Sequence, residues 1–172
     1  MKHRLEKIEL LLLDVDGVLT TGEIIYADSG EQIKVFHARD GLGLRLLMDN
    51  HIQAGIVTGR TACSALTHRC RNLGIDLVCD GIKDKNAALG SIADTTGISL
   101  EHTAFMGDDL IDLPAMKIAG ISITVPDAPE EVKKRADIIT KARGGQGAVR
   151  EACEMILKAK NLWEKALRPY IS

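Results

Sequence analysis

The stretch LLLLDVDGVLT, Leu10–Thr20, decides how the rest of the chain is read. Its four leucines predict a strand buried on both faces, and Ile8–Val15 as a whole fits that strand. The strand runs into two carboxylates one residue apart, Asp14 and Asp16, and then into Gly17. Two such anions at ~4 Å, at an effective dielectric of about 20, repel by roughly 4 kcal/mol. Another group in the chain must offset that repulsion.

Working outward, apolar runs alternate with helical patterns. Asp40–Asn50 has leucines at helical spacing, with Asp40 as the expected N-cap. Ala54–Val57 reads as a short strand that ends in TGR, and Thr61–Leu73 as a helix closed by Gly74. Asp76–Cys79 is a strand and Lys83–Thr95 a helix. Thr103–Met106 is a strand that ends in GDD, and Ile121–Val125 another before Pro126. Glu130–Ala136 and Ala148–Leu162 read as helices. Strand followed by helix, repeated, predicts an α/β fold with a doubly wound, mostly parallel sheet. One segment breaks the pattern. Ile24–Tyr26 and Ile33–Phe36 flank turn residues Asp28, Ser29 and Gly30, which predicts an inserted β-hairpin over about 24–36. The reading is one domain over residues 1–172, with a C-terminal helix and tail over about 148–172 and the last dozen residues as a mobile tail.

Composition narrows the classes. The 172 residues are 45% hydrophobic, an ordinary share for a globular protein, but only 3% aromatic. Single-stranded nucleic acid wants aromatic platforms, and a net charge of −2 with mixed signs offers no basic face, so nucleic acid is not expected as a partner. No apolar run approaches the ~20 residues of a membrane helix, and the charged start MKHRLEKIEL lacks the apolar region of a signal peptide. Cys63, Cys70, Cys79 and Cys153 show no CxxC spacing and read as reduced thiols of a cytoplasmic protein. The histidines form no HxxxH pair.

In doubly wound sheets, ligands bind beyond the carboxyl ends of the strands. Asp14 and Asp16 follow the first strand, Thr58 and Gly59 the second, and Gly107-Asp108-Asp109 the fourth, with Lys85 downstream of the third. Taken alone, each has an ordinary reading: a solvated strand end, a capping threonine, a surface lysine, an acidic helix start. Together they answer the opening question. Mg²⁺ is held by one or two carboxylates plus a substrate phosphate, and Asp14 and Asp108 supply those carboxylates. One member of the Asp14/Asp16 pair then attacks phosphorus, and the other moves the proton of the leaving oxygen and of water. Thr58 and Lys85 hold the remaining phosphate oxygens. GQG at Gly145–Gly147 imitates the start of GxGxxG, but it opens a late helix and carries no Walker lysine, so dinucleotide binding is rejected.

DVDGVLT, VTGR, Lys85 and GDDLID resemble the four motifs of the haloacid dehalogenase superfamily of phosphatases, in a likeness that covers nearly the whole chain. It implies a Rossmann-like core with Asp14 as nucleophile and Asp16 as general acid/base. Mg²⁺ would lie between the Asp14 side chain, the Asp16 backbone carbonyl and Asp108, with Asp109 and Asp112 as outer support. Thr58, Gly59 and Lys85 would bind phosphate. The gaps from Asp14 to Thr58 and from Lys85 to Asp108 leave no room for a cap domain, so the site is open or is closed by neighbouring subunits. VFHARDGLGLRLL, RCRNLGI (Arg69–Ile75) and ARGGQGAVRE (Ala142–Glu151) are similar to the uncapped branch that acts on 3-deoxy-D-manno-octulosonate 8-phosphate, a precursor step for lipopolysaccharide. That branch implies a homotetramer joined through the hairpins, C-terminal segments that help cover adjacent sites, and Arg60 and Arg69 as candidates for the sugar-acid carboxylate and hydroxyls.

The closest alternative is the same chemistry on a nine-carbon ulosonate 9-phosphate. In the resemblance, arginine after TG fits the eight-carbon type, and glutamate there fits the nine-carbon type. A non-catalytic oligomerisation module is a rival from another class, disfavoured because every catalytic motif is present. A receiver-type signalling domain also phosphorylates an aspartate but would hold its phosphate, and its aspartate follows a later strand.

Overall fold

A short helix, α1 (Lys2–Glu6), leads into β1 (Leu10–Leu13), whose four leucines are fully buried. The computed structural model describes residues 1–171. After β1 comes the hairpin, β2 (Ile25–Tyr26) and β3 (Gln32–Ile33), and then α2 (Ala38–Asp49) and β4 (Gln53–Val57). Next are α3 (Ser64–Leu73), β5 (Leu77–Cys79), α4 (Lys85–Thr96) and β6 (Thr103–Met106). The chain goes on through α5 (Leu113–Ile118), β7 (Ile121–Thr124), α6 (Glu130–Lys133), β8 (Ile138–Ile139), α7 (Ala148–Ala159) and α8 (Trp163–Ile171).

Among the described residues the main sheet has six strands in the order β5-β4-β1-β6-β7-β8, and every neighbouring pair runs parallel. The expected doubly wound α/β fold therefore forms. Strand order reverses at β1: the chain first builds outward through β4 and β5, then returns to the other side with β6. That reversal opens a crevice at the carboxyl ends of β1 and β6, where such folds bind ligands. Leu11 pairs with Ala54 on one side and Ala104 on the other, and these small residues leave room for the helices that cover the sheet. Helix α7 packs against α2 and α1, and α4 against α5. The core is aliphatic apart from Phe105, in keeping with the aromatic-poor composition.

The hairpin forms as expected, with Ile25 opposite Ile33, but its paired strands are only two residues each. Three expectations are corrected. Asp40 does not cap its own helix: α2 starts at Ala38, and His37 occupies the cap position. Asp40 is instead buried in the first turn, where its Oδ1 accepts the Arg150 N–H at 2.7 Å. The open amides at the start of α7 need an acceptor, and this carboxylate supplies it from across the fold. Helix α3 starts at Ser64 rather than Thr61, because the Ala62 N–H is taken by Asp80 at 2.7 Å. The expected mobile tail is α8 as far as Ile171; Ser172 lies outside the described residues. Trp163 docks that helix, with the Arg150 guanidinium 5.4 Å and the Lys158 ammonium 5.0 Å from its ring centre.

Candidate active site

β1 ends one residue before Asp14, whose N–H donates to the Met106 carbonyl of β6 at 2.9 Å. The bond ties the loop after β1 to the neighbouring strand and sets Asp14 at the switch point. Gly17 then turns the chain with φ +88°, and a Cβ there would lie 2.0 Å from Asp108 Oδ2. Only glycine lets the first loop approach the second this closely. Gly144, far along the chain, closes the underside: its Cβ would meet the Gly17 carbonyl oxygen at 1.7 Å, and the Gly145 N–H donates to Val18 O. The glycine-rich segment Gly144–Gly147 is thus a backbone buttress for the first loop.

Lys85 opens α4 and is almost fully buried. Its Nζ donates to Asp14 Oδ1 at 2.7 Å and to Asp112 Oδ1 at 2.5 Å. The other oxygen of Asp112 accepts the N–H groups of Asp108 and Asp109, at 2.9 and 3.1 Å. Asp112 is therefore the hinge of the arrangement, holding Lys85 with one oxygen and the Asp108 loop with the other. Asp109 supports the same turn by capping Leu110.

The electrostatics follow from burial. Desolvation, together with Asp112, Asp14 and Asp109, pushes Asp108 up to about 8. Asp14 rises to about 6, mainly through burial, with Lys85 pulling against the rise. Burial alone would depress Lys85, but Asp14 and Asp112 outweigh it and hold the ammonium above its ordinary value. The anions are crowded and Lys85 compensates only part of the charge.

Asp108 Oδ1 is buried with no hydrogen-bond partner among the described residues. Oxygens of Asp14, Asp108 and Asp112 lie within 4.8 Å of one another. Asp112 is already committed to Lys85 and two backbone amides, which leaves Asp14 and Asp108 as the side chains fitted to a hard divalent cation. The all-oxygen donor set and the orphaned Asp108 oxygen both suit magnesium.

A cavity of about 480 Å³ opens above these groups and is lined by Asp14, Asp16, Thr58, Gly59, Arg60 and Asp108, with Ile24 and Ile111 on its apolar rim. A larger cavity of about 860 Å³ runs past Arg4, Lys117 and Asp137 and contains none of these carboxylates. Size does not locate the chemistry here; the charges do. Thr58 is buried and accepts the Arg60 N–H at 3.4 Å, and Arg60 Nε lies 3.5 Å from Asp16 Oδ2.

Of the candidates, Lys85 does not line this cavity and meets it only through Asp14, and Arg69 does not reach it at all. Its guanidinium donates to the His37 carbonyl at 3.2 Å and lies 5.8 Å from the Phe36 ring centre, bracing the start of α2. Sequence reasoning missed Lys34, whose Nζ lies 2.5 Å from Asp16 Oδ1. A lysine between apolar residues in a strand, as in IKVF, was the available signal.

A family model of haloacid dehalogenase-like hydrolases matches residues 75–151. The chain is 44% identical over 160 residues to the 3-deoxy-D-manno-octulosonate 8-phosphate phosphatase KdsC of Haemophilus influenzae, an alignment covering 93% of this chain and 88% of that one. It is similar to the crystal structure of the Moraxella catarrhalis 3-deoxy-D-manno-octulosonate 8-phosphate phosphatase in complex with magnesium, phosphate and KDO. That match has a TM-score of 0.95 and 41% identity, over 98% of this chain and 97% of that one. The cobalt-bound Haemophilus influenzae phosphatase matches with a TM-score of 0.90 and 43% identity, over 93% of each chain.

Proposed function

The chain belongs to the haloacid dehalogenase-like hydrolases, in the family of the 3-deoxy-D-manno-octulosonate 8-phosphate phosphatases, and from that premise we propose how its site works. It is a phosphoric monoester hydrolase with magnesium as cofactor. Its substrate is 3-deoxy-D-manno-octulosonate 8-phosphate, cleaved to the free sugar acid and phosphate. The observation that carries the reading is the buried set at the switch point: Asp14 held by Lys85, Lys85 held by Asp112, and Asp108 left with an unpaired oxygen beside them.

In this reading the Asp14 side chain, the Asp16 backbone carbonyl and Asp108 hold magnesium. The Asp16 carbonyl accepts no hydrogen bond among the described residues, which suits that role. When bound, the ion neutralises the crowded carboxylates and withdraws charge from the phosphoryl oxygens. Lys85 fixes one oxygen of Asp14, and Asp14 attacks phosphorus. The phosphorus–oxygen bond to the sugar breaks as Asp16 gives its proton to the leaving oxygen, and an aspartyl phosphate remains on Asp14. Asp16, now a base, takes a proton from water; water attacks phosphorus, and phosphate leaves with Asp14 regenerated. Thr58, the Gly59 backbone and Lys85 hold the phosphoryl oxygens. Arg60 stands half-exposed at the cavity mouth, a fit for the sugar-acid carboxylate. For Arg69 the contacts in one chain favour a bracing role over substrate contact.

Ile25, Tyr26, Ile33 and Val35 on the hairpin are all exposed, which supports a homotetramer joined through hairpins. No helix among the described residues is long and apolar enough to cross a membrane. The reading places the enzyme in the cytoplasm, in lipopolysaccharide precursor synthesis.

Phosphate release tests it, with Mg²⁺ or with EDTA, on the eight-carbon 8-phosphate, a nine-carbon ulosonate 9-phosphate and a hexose phosphate. The expected result is Mg²⁺-dependent preference for the eight-carbon acid. Preference for the nine-carbon acid overturns the substrate and the role of Arg60 while keeping the mechanism. Release that EDTA leaves untouched overturns the metal.

A further inference from the structure

The hairpin has its polarity inverted. In β3 and the residues after it, Ile33 and Val35 point outward, 47% and 66% exposed, while the Lys34 side chain is only 6% exposed. Strand alternation should place the charge in water and the apolar neighbours inside. Burying an ammonium is unfavourable unless it is paired. Among the described residues Lys34 bonds to one group, Asp16 Oδ1, at 2.5 Å. Arg60 approaches the other oxygen, with Nε 3.5 Å from Oδ2, but its side chain is 50% exposed.

The two cations differ in what they reach. Arg60 lines the cavity together with Asp16, whereas Lys34 is not among the lining residues. Lys34 meets the site only through the Asp16 carboxylate. Arg60 is the cation placed to turn toward an incoming anion; Lys34, enclosed, stays where it is. An aspartate has several rotamers, and a proton carrier loses efficiency when its oxygen strays from the reacting atom.

We propose that Lys34 is a positioning residue for the reaction: from the inward face of the hairpin it holds the Asp16 carboxylate in the orientation from which the proton is moved. The inference rests on the reading of Asp16 as the group that moves that proton. It makes the hairpin a working part of the active site as well as an outward-facing surface.

The test is steady-state kinetics on the full chain with Mg²⁺ and the eight-carbon 8-phosphate, for Lys34→Met, Asp16→Asn and the double variant. Lys34→Gln is read in parallel, since it keeps a donor of similar reach and makes the result independent of whether the Met variant folds. General acid–base catalysis contributes about 10²–10⁴-fold. Lys34→Met is expected to lower kcat by roughly 10–100-fold with KM within about threefold, and Lys34→Gln by less. On the Asp16→Asn background the same Met substitution is expected to cost no more than about twofold, because a residue that acts through Asp16 has nothing left to position. A raised KM with kcat intact overturns the proposal in favour of direct substrate contact. An equal loss with and without Asp16 overturns it in favour of a general structural role, and unchanged kinetics in both Lys34 variants overturns it outright. Asp16→Asn turning over at the wild-type rate overturns the underlying role of Asp16, an outcome read from that variant alone.

Discussion

Asp108 carries a penalty that the folded chain bears by itself. Burial and three neighbouring carboxylates push it to about 8, from an ordinary 3.8. The folded state then binds a proton that the unfolded chain has released, so stability from this group is present near pH 4 and is lost as pH rises toward 8. In EDTA at pH 8, Asp108→Asn should therefore raise stability by on the order of 2 kcal/mol, about 4–8 °C in Tm for a chain of this size. At pH 4 the gain should vanish. At the proposed magnesium site the ion would have to displace that proton, so its stabilising shift in the wild type should grow between pH 6 and pH 8 and be absent in the variant. Thermal melts at the two pH values, with and without the metal, check all of this. Asp14→Asn should abolish phosphate release while the melt stays cooperative, because Lys85 keeps Asp112 as a partner.

At the level of elements, the most connected joint is the start of α7. Asp40 caps it from α2, and the Gly144–Gly147 loop before it rests on the Gly17–Thr21 backbone. Asp40→Ala should leave the Arg150 amide without its acceptor and cost about 1–3 kcal/mol, read as a lower denaturant midpoint with unchanged slope. Gly144→Ala drives a methyl into the Gly17 carbonyl and should lower turnover more than it lowers Tm. These joints also mark the limit of what the sequence makes legible. β1 and β6 are plain because a short apolar run that stops at carboxylates has few readings, and β6 falls where it is expected. Asp14, Thr58, Lys85 and Asp108 converge because parallel strands place their carboxyl ends side by side. Asp40 before an amphipathic run looks like a local cap, and only the fold reveals that its partner lies far along the chain. Lys34 is hidden for the same reason: its partner is in the loop after β1. Helix α8 is obscured by Pro169, which suggests a break, whereas Trp163 between Arg150 and Lys158 holds the helix in place.

For the whole molecule, the exposed hairpin and the buried C-terminal half make opposite predictions. On the proposed homotetramer, Tyr26→Ser combined with Val35→Ser should separate the subunits without unfolding the chain, so that sedimentation falls from near four chain masses toward one; a single chain mass in the unsubstituted protein overturns that assembly. Stopping the chain after Ala142 should instead abolish soluble protein, because Val149, Ala152, Cys153, Ile156 and Leu157 of α7 are fully buried in the core. The contact between Gly144 and Gly17 carries a last consequence, which concerns how the protein is made. β1 leaves the ribosome before β4 and β6, the strands on either side of it, and before the loop beneath it. At about 5–20 residues per second, the leucines of β1 wait on the order of ten seconds for their cover. During that interval the nascent chain exposes its most apolar segment, so its yield in a cell should depend on whatever shelters that segment. A message cut short between codons 20 and 144 then encodes Asp14 and Asp16 without the loop that supports them.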